Sequence, residues 1–431
     1  MKSFFNKLLS FFNTIEGKIA FYPALFAFGG LILAIISLSL EATGISKWLT
    51  SLHTAFEIDN GDTARTILSY LTAGLISIMV FSFSMVMVLL NQASSNYSPR
   101  VLPGLISNKS HQYVLGVYLG TIIYNIFITI SIKSNEGNGN HLPSFSILIT
   151  VLLTILCLCA FIYFIHSISQ SIQVNNILHS EYRKAKERLK EIIDIQKQKP
   201  TQEFPDTQDW EVHKSNRTGY YQNLSLNNLL EICTEENILL HIVPIKGSFI
   251  TENAPLFKTN RKVGKVVAKK IADNFNFADG EFVEDNYALG IKHITEIGIR
   301  AISPAVNDPS TTITTINFLT DLFALRLQKE ELEIVLNKKN EPKLLLTSIP
   351  FDELLYQVML PYRTYCKQDF SCIQKLFFML HFLLKQKTSN PTYYEPIYKE
   401  IKNLYEDTKQ SLLNSEDLKR LDQLYHAVNP S

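Results

Sequence analysis

The sequence predicts a membrane α-helical protein: four transmembrane helices, then a cytoplasmic α+β domain that ends in a helical bundle. Three observations predict this. Charge is unevenly placed: of 41 Lys/Arg and 40 Asp/Glu in 431 residues, only 8 and 6 precede residue 181. That charge-poor part holds four uncharged stretches, each long enough to cross a hydrocarbon core of ~30 Å at ~1.5 Å per helical residue. Beyond residue 200, short alternating runs broken by Gly and Pro give way to long segments of helical period. This division excludes a secreted soluble enzyme and a disordered or collagen-like chain. A net charge of +1 excludes a purely electrostatic nucleic-acid binder, so no nucleic-acid partner is expected.

The uncharged stretches are residues 19–40, 66 to about 90, 112–132 and 142–165. Lys2 and Lys7 precede the first, but its apolar core is too long for a signal peptide and lacks a small-residue cleavage site, so it reads as a retained span. Four spans place both termini on one side, and flanking Lys/Arg choose that side. Lys2, Lys7, Lys18, Arg100, Lys109 and the seven basic residues from Arg183 to Lys199 face one way; only Lys47, Arg65 and Lys133 face the other. Both ends are therefore expected in the cytoplasm.

In the second span Tyr70, Ser77, Ser84 and Asn91 recur every seven residues, with Ser98 one step further, and so share a face. Such a seam either lines an aqueous path in a homo-oligomer or packs and hydrogen-bonds against another helix. None of the four stretches holds Asp, Glu, Lys or Arg, which argues against ion-coupled transport. Gly116-x-x-x-Gly120 in the third span, with Tyr124 one turn on, predicts close helix contact.

After the fourth span, Leu178, Tyr182, Ala185, Leu189 and Ile192 form an apolar stripe, predicting an amphipathic helical linker over 181–200. The stripe either seats on the protein's own domain or zips protomers together. Arg183, Lys184, Lys186, Arg188 and Lys190 occupy its other faces, where anionic lipid headgroups are the expected partner at about 1 kcal/mol each. Pro200 and Pro205 mark the boundary. A small α/β subdomain is expected over 201–285, with a helix at 225–236, a strand at 238–245 and a helix at 261–275. A helical subdomain is expected over 286–431, with helices at 287–302, 309–328, 351–360 and 370–387, two more in 395–428, and one strand at 343–349.

The usual signatures of chemistry are missing. There is no Walker-type loop, no His-Glu-x-x-His, no Gly-x-Ser-x-Gly, no EF-hand loop and no dinucleotide fingerprint. The five cysteines show neither a disulfide framework nor zinc spacing, so no metal and no cofactor are expected. One constellation rises above background: Arg300-Ala-Ile-Ser-Pro-Ala-Val-Asn-Asp-Pro-Ser-Thr-Thr312. Ser303 and Asp308 each precede proline, so a helix ends near Ile302 and another starts at Pro309, with Asp308 as N-cap. The preceding helix places His293, Glu296 and Arg300 on one face, opposite Tyr287, Ile291, Ile294 and Ile302. Two readings follow. Either His293, Glu296, Arg300, Ser303, Asn307, Asp308 and Thr311 surround an anionic ligand at the new helix start, or the segment is a well-capped helix-turn-helix with a surface salt bridge.

Three segments in order carry a resemblance: Ser94-Ser-Asn-Tyr-Ser-Pro-Arg100, Ala160-x-Ile-Tyr-Phe-Ile-His166, and Arg300-Ala-x-Ser-Pro-x-x-Asn-Asp-Pro309. They resemble the bacterial predicted membrane proteins grouped as domain of unknown function 2254, over nearly the whole chain. The resemblance implies a bacterial inner-membrane protein with four amino-terminal spans and a cytoplasmic carboxyl domain, and it implies no activity. The leading expectation is a non-enzymatic, oligomeric sensor or scaffold whose cytoplasmic domain binds a ligand or partner. The alternatives are a channel lined by the polar face of span two, and a membrane-attached enzyme using the Arg300/Asp308 region with His293 and Glu296.

Overall fold

The structure, a computed structural model, describes residues 21–46, 60–96, 109–132, 142–171, 174–198, 203–278 and 286–427. The chain forms two compact units, 1–173 and 174–431. In the first, α1 (Phe21–Ala42), α2 (Gly61–Asn96), α3 (Lys109–Ser131) and α4 (Ser144–Ser171) fall on the four expected stretches. All four are long and apolar enough to cross a bilayer. Lys2, Lys7, Lys18, Lys47, Arg100, Lys133 and Lys199, which carry much of the expected orientation, lie outside the described residues, as do positions 97–100 of the first resemblance segment.

The inner helix of this unit is α3, whose apolar window is 50% buried against 11 to 22% for the others. Its Gly116 and Gly120 meet Phe26 and Gly30 of α1, so the expected helix interface lies within one chain. A methyl group on Gly30 would overlap the backbone of Gly120; the absence of side chains is what lets the two backbones approach. At one end of the unit a polar network is fully partnered. Ser37 Oγ meets Tyr124 OH at 2.9 Å and Ser146 Oγ at 2.7 Å, and Glu41 accepts from Ser146 N at 2.8 Å and from Ser46 Oγ at 2.6 Å.

The second unit begins with α5 (Val174–Gln198) and builds two sheets from β1 (Glu211–Lys214), β2 (Gly219–Leu224), β3 (Leu240–Ile242), β4 (Phe249–Ile250), β5 (Pro255–Thr259), β6 (Phe275–Ala278), β7 (Glu333–Leu336) and β8 (Pro342–Leu346). The larger runs β1-β5-β3-β8-β7, antiparallel except for the parallel β3/β8 pair; the smaller runs β4-β2-β6. The helices α6 (Leu226–Glu235) and α7 (Lys265–Ala272) bury Leu229, Cys233 and Ile271 against sheet residues such as Leu240, Phe257 and Leu344. The strand expected at 343–349 is present as β8, but it joins the same sheet as β3 together with a second strand of this part of the chain, β7.

Next come α8 (Tyr287–Ala301), α9 (Pro309–Arg326), α10 (Phe351–Cys366), α11 (Phe370–Leu384), α12 (Tyr394–Lys409) and α13 (Ser415–His426). The expected stop of α10 at Leu360 is corrected: the helix continues through Pro361. The linker helix α5 seats on its own domain, against α8 and α9, burying Ile177, Leu178, Glu181, Ala185, Leu189 and Ile193. Tyr182 and Ile192, expected in its apolar stripe, are only half-buried. All five cysteines are free.

Candidate functional site

The expected constellation is folded, and several of its polar groups are spent on bonds within the segment. Asp308 is the N-cap of α9, with Pro309 at the first helical position. Its Oδ1 accepts from Thr311 N at 3.1 Å and its Oδ2 from the Thr311 hydroxyl at 2.6 Å. These bonds, the hydroxyl's first, hold the Asp308 carboxyl below its ordinary value. Asn307 sits at φ 51°, a left-handed turn that Asn tolerates, and Ser303 Oγ donates to Arg300 O at 2.7 Å. A carboxylate already occupies the helix start where an anion was expected.

His293, Glu296 and Arg300 do not share an open face. α8 is buried nearly all round, because Gly290 admits Ala185 of α5 and Gly298 admits Thr315 of α9 and Tyr362 of α10. His293 is 2% exposed, with Nδ1 donating to Glu181 Oε2 at 3.0 Å. Glu296 lines a cavity from which His293 and Arg300 are absent, and no described cavity joins the three. α5 covers this side of α8 at His293, through Glu181. Two of the basic residues assigned to lipid also have protein partners. Lys186 pairs with Asp321 of α9 at 2.9 Å, and Arg188 pairs with Glu191 at 3.1 Å. The exposed basic residues of that set are Arg183 and Lys190, with Lys184 half-buried.

The structure brings other residues together. A cavity of ≈ 250 Å³ lies between α5 (Arg188, Ile192), the sheet strands (Tyr221, Ile242, Glu333, Leu346) and the start of α8 (Asn286, Tyr287, Ala288). A second, of ≈ 420 Å³, adjoins it beyond Lys246 and Asn286 and is lined by Lys292, Thr295, Glu296 and Gln357. The divide between them is built by Asn286, which caps α8 through Oδ1 and donates from Nδ2 to Lys246 O at 2.9 Å. Gly247, at φ 89°, makes that bond possible, since a methyl group there would lie 2.8 Å from Asn286 Nδ2.

Behind the first cavity lies a buried ion cluster. Lys329 is fully buried, with Nζ 2.9 Å from Glu333 and 3.3 Å from Ser348 Oγ, and both partners line the cavity. Arg326, also fully buried, meets Glu331 at 2.8 Å and lies over the Phe351 and Tyr393 rings. Burial holds the Lys329 ammonium below the ordinary lysine range, opposed by Glu333, and pushes the Tyr287 phenol up to about 12. The end of α5 ties into the same segment, Gln196 Oε1 accepting from Glu330 N at 3.0 Å. The sequence signal was Arg326-x-x-Lys329-Glu-Glu-x-Glu333, a charge run that by itself reads as a solvated loop. Among the described residues no group of three or more His, Cys, Asp or Glu could hold a metal ion.

The model of the family described as Predicted membrane protein (DUF2254) matches residues 16–381. The chain belongs to this family. The match runs from the first span through the two cavities to the ion cluster and on into α11. Uncharacterized proteins of Mycobacterium bovis and Mycobacterium tuberculosis are each 23% identical to it over 280 residues, 62% of this chain and 52% of theirs. The chain thus spans about half the length of the curated relatives it matches. No solved structure matches it.

Proposed function

We propose that this member of the family is an oligomeric protein of the bacterial inner membrane, with both ends cytoplasmic. In this reading the C-terminal domain binds a small ligand and passes its occupancy to the membrane helices through α5. The observation that carries it is the ≈ 250 Å³ cavity. One wall is α5, the helix that follows the fourth apolar helix in sequence, and the opposite wall is the start of α8. A mostly apolar lining with a few converging polar groups is the usual form of a small-molecule site. Arg188, Lys246 and Glu333 would orient the polar end of the ligand, and Ile192, Ile242 and Leu346 would hold its body.

The test is a thermal-shift screen of small metabolites on the full-length protein in detergent, repeated on two variants. Ala288→Phe fills the cavity; Arg300→Ala removes the cation of the 300–312 segment. Binders should be lost in the first and kept in the second. The opposite pattern would move the site to the segment preceding α9, and binders that survive both changes would end the cavity reading.

The second reading, a pore between copies, is favoured by the outward placement of the span-two seam. Tyr70, Ser77, Ser84 and Asn91 are all exposed, while Ala64, Leu68, Leu75 and Ser82 form the buried side of α2. A polar seam facing away from its own bundle is best satisfied by a second copy.

A further inference from the structure

The ≈ 250 Å³ cavity of the C-terminal domain has walls whose chemistry narrows what can enter it. Its volume falls just under the range of about 300 to 1,000 Å³ usual for drug-sized ligands, so its occupant is small. Ile192, Ile242, Leu346 and Ile349 make much of the lining apolar. Several polar groups on the wall are already committed. Thr347 Oγ1 donates to Ile242 O at 2.8 Å, and Ser348 Oγ to Glu331 O at 2.9 Å. Asn286 uses both ends of its carboxamide on the main chain, and Glu333 holds the Lys329 ammonium at 2.9 Å.

Arg188 is different. Its Nη1 meets Glu191 at 3.1 Å, but the Glu191 side chain is 62% exposed, and an ion pair so open to solvent holds an arginine weakly. Its Nε is buried and makes no hydrogen bond. Nε and Nη2 form the guanidinium edge that grips a carboxylate through two parallel bonds, and the Glu191 contact leaves that edge clear. Charge agrees with the donors. The charged residues on the wall are Arg188, Lys246 and Glu333, one positive charge in excess, and Glu333 is the one that faces Lys329. A cationic guest would meet two like charges, and a dianion would bring one charge more than the wall answers. A single carboxylate balances it.

We infer, on the ligand-binding reading above, that this cavity takes a small apolar monocarboxylate. The Nε edge of Arg188 clasps its carboxylate, and its body lies among Ile192, Ile242 and Leu346. The anion then bonds directly to α5, the helix that follows the fourth apolar helix in sequence.

The experiment titrates the full-length protein, in non-ionic detergent, with isovalerate, hexanoate and phenylacetate, each beside its amide and the matching primary ammonium. Thermal shift and equilibrium dialysis read binding to the native protein, Arg188→Gln and Ala288→Phe. At least one carboxylate should bind the native protein about tenfold or more tightly than its amide, the advantage expected of a bond to a charged group. Arg188→Gln should bring that carboxylate down to the affinity of its amide, and Ala288→Phe should remove both. An amide or ammonium that binds as tightly as its carboxylate, and is lost in Ala288→Phe, overturns the carboxylate class and leaves the cavity reading standing. A carboxylate preference unchanged in Arg188→Gln overturns the inference, as does the failure of all three carboxylates to bind at millimolar concentration. Carboxylate binding that survives Ala288→Phe overturns both the class and the cavity. Should Arg188→Gln not accumulate, the order of affinities on the native protein decides by itself.

Discussion

At Asp308 one carboxylate both ends a turn and starts a helix, and its energetics can be read directly. Replacing an N-cap aspartate with alanine costs about 1 kcal/mol, so Asp308→Ala should lower the unfolding midpoint of the C-terminal domain at neutral pH. The sign of the pH dependence follows from its carboxyl lying below the ordinary 3.8 in the folded protein. A lowered folded value means the stabilisation is complete above the ordinary value and is lost as pH falls through the folded one. Native and Asp308→Ala midpoints, measured in parallel, should therefore converge below about pH 3.8. A difference that stays constant with pH would show that the charged form is not what caps α9. Gly298 sets a different constraint. Its missing side chain leaves room for the buried Thr315 and Tyr362 hydroxyls, which meet at 2.7 Å.

Between elements, the ion cluster joins the end of α9 to β7 and to the start of α10, where Glu331 Oε1 accepts from Phe351 N at 2.9 Å. Lys329 has no exposure and Glu333 is its closest carboxylate, at 2.9 Å. Glu333→Leu alone leaves that ammonium uncompensated and should cost about 3 to 5 kcal/mol, whereas Lys329→Met with Glu333→Leu should recover most of the loss. Chemical unfolding of the four proteins in this cycle measures it. A double variant as unstable as Glu333→Leu would mean that the two side chains do not act as a pair. Elements of this kind were only partly legible in the sequence. The four apolar helices, the capped start of α9 and the Gly116/Gly120 contact follow from local pattern, because span length, capping and close approach are local properties. The burial of Lys329, the pairing of His293 with Glu181 and the site at Asn286 depend on chain segments tens to more than a hundred residues apart. A charged loop or a polar helix face carries no local sign of what will cover it.

For the molecule as a whole, the outward seam of α2 decides between a lone bundle and an assembly. Ser77→Cys in membranes should form a disulfide-linked dimer on mild oxidation, while Leu75→Cys, at 1% exposure, should not. A monomer from both would leave the seam facing lipid and remove the pore reading. The sheet of the second unit imposes a condition of another kind. Its middle strand β3 ends at Ile242, and its parallel neighbour β8 begins at Pro342. Until the ribosome has released residues 342–346, β3 lacks one of its two neighbours and presents an unpaired edge to its surroundings. The nascent chain must hold that edge unjoined for about one hundred further codons, so the domain closes late in synthesis. Messages truncated before that point should yield a membrane-anchored product that is a substrate for chaperones and proteases rather than a smaller working domain.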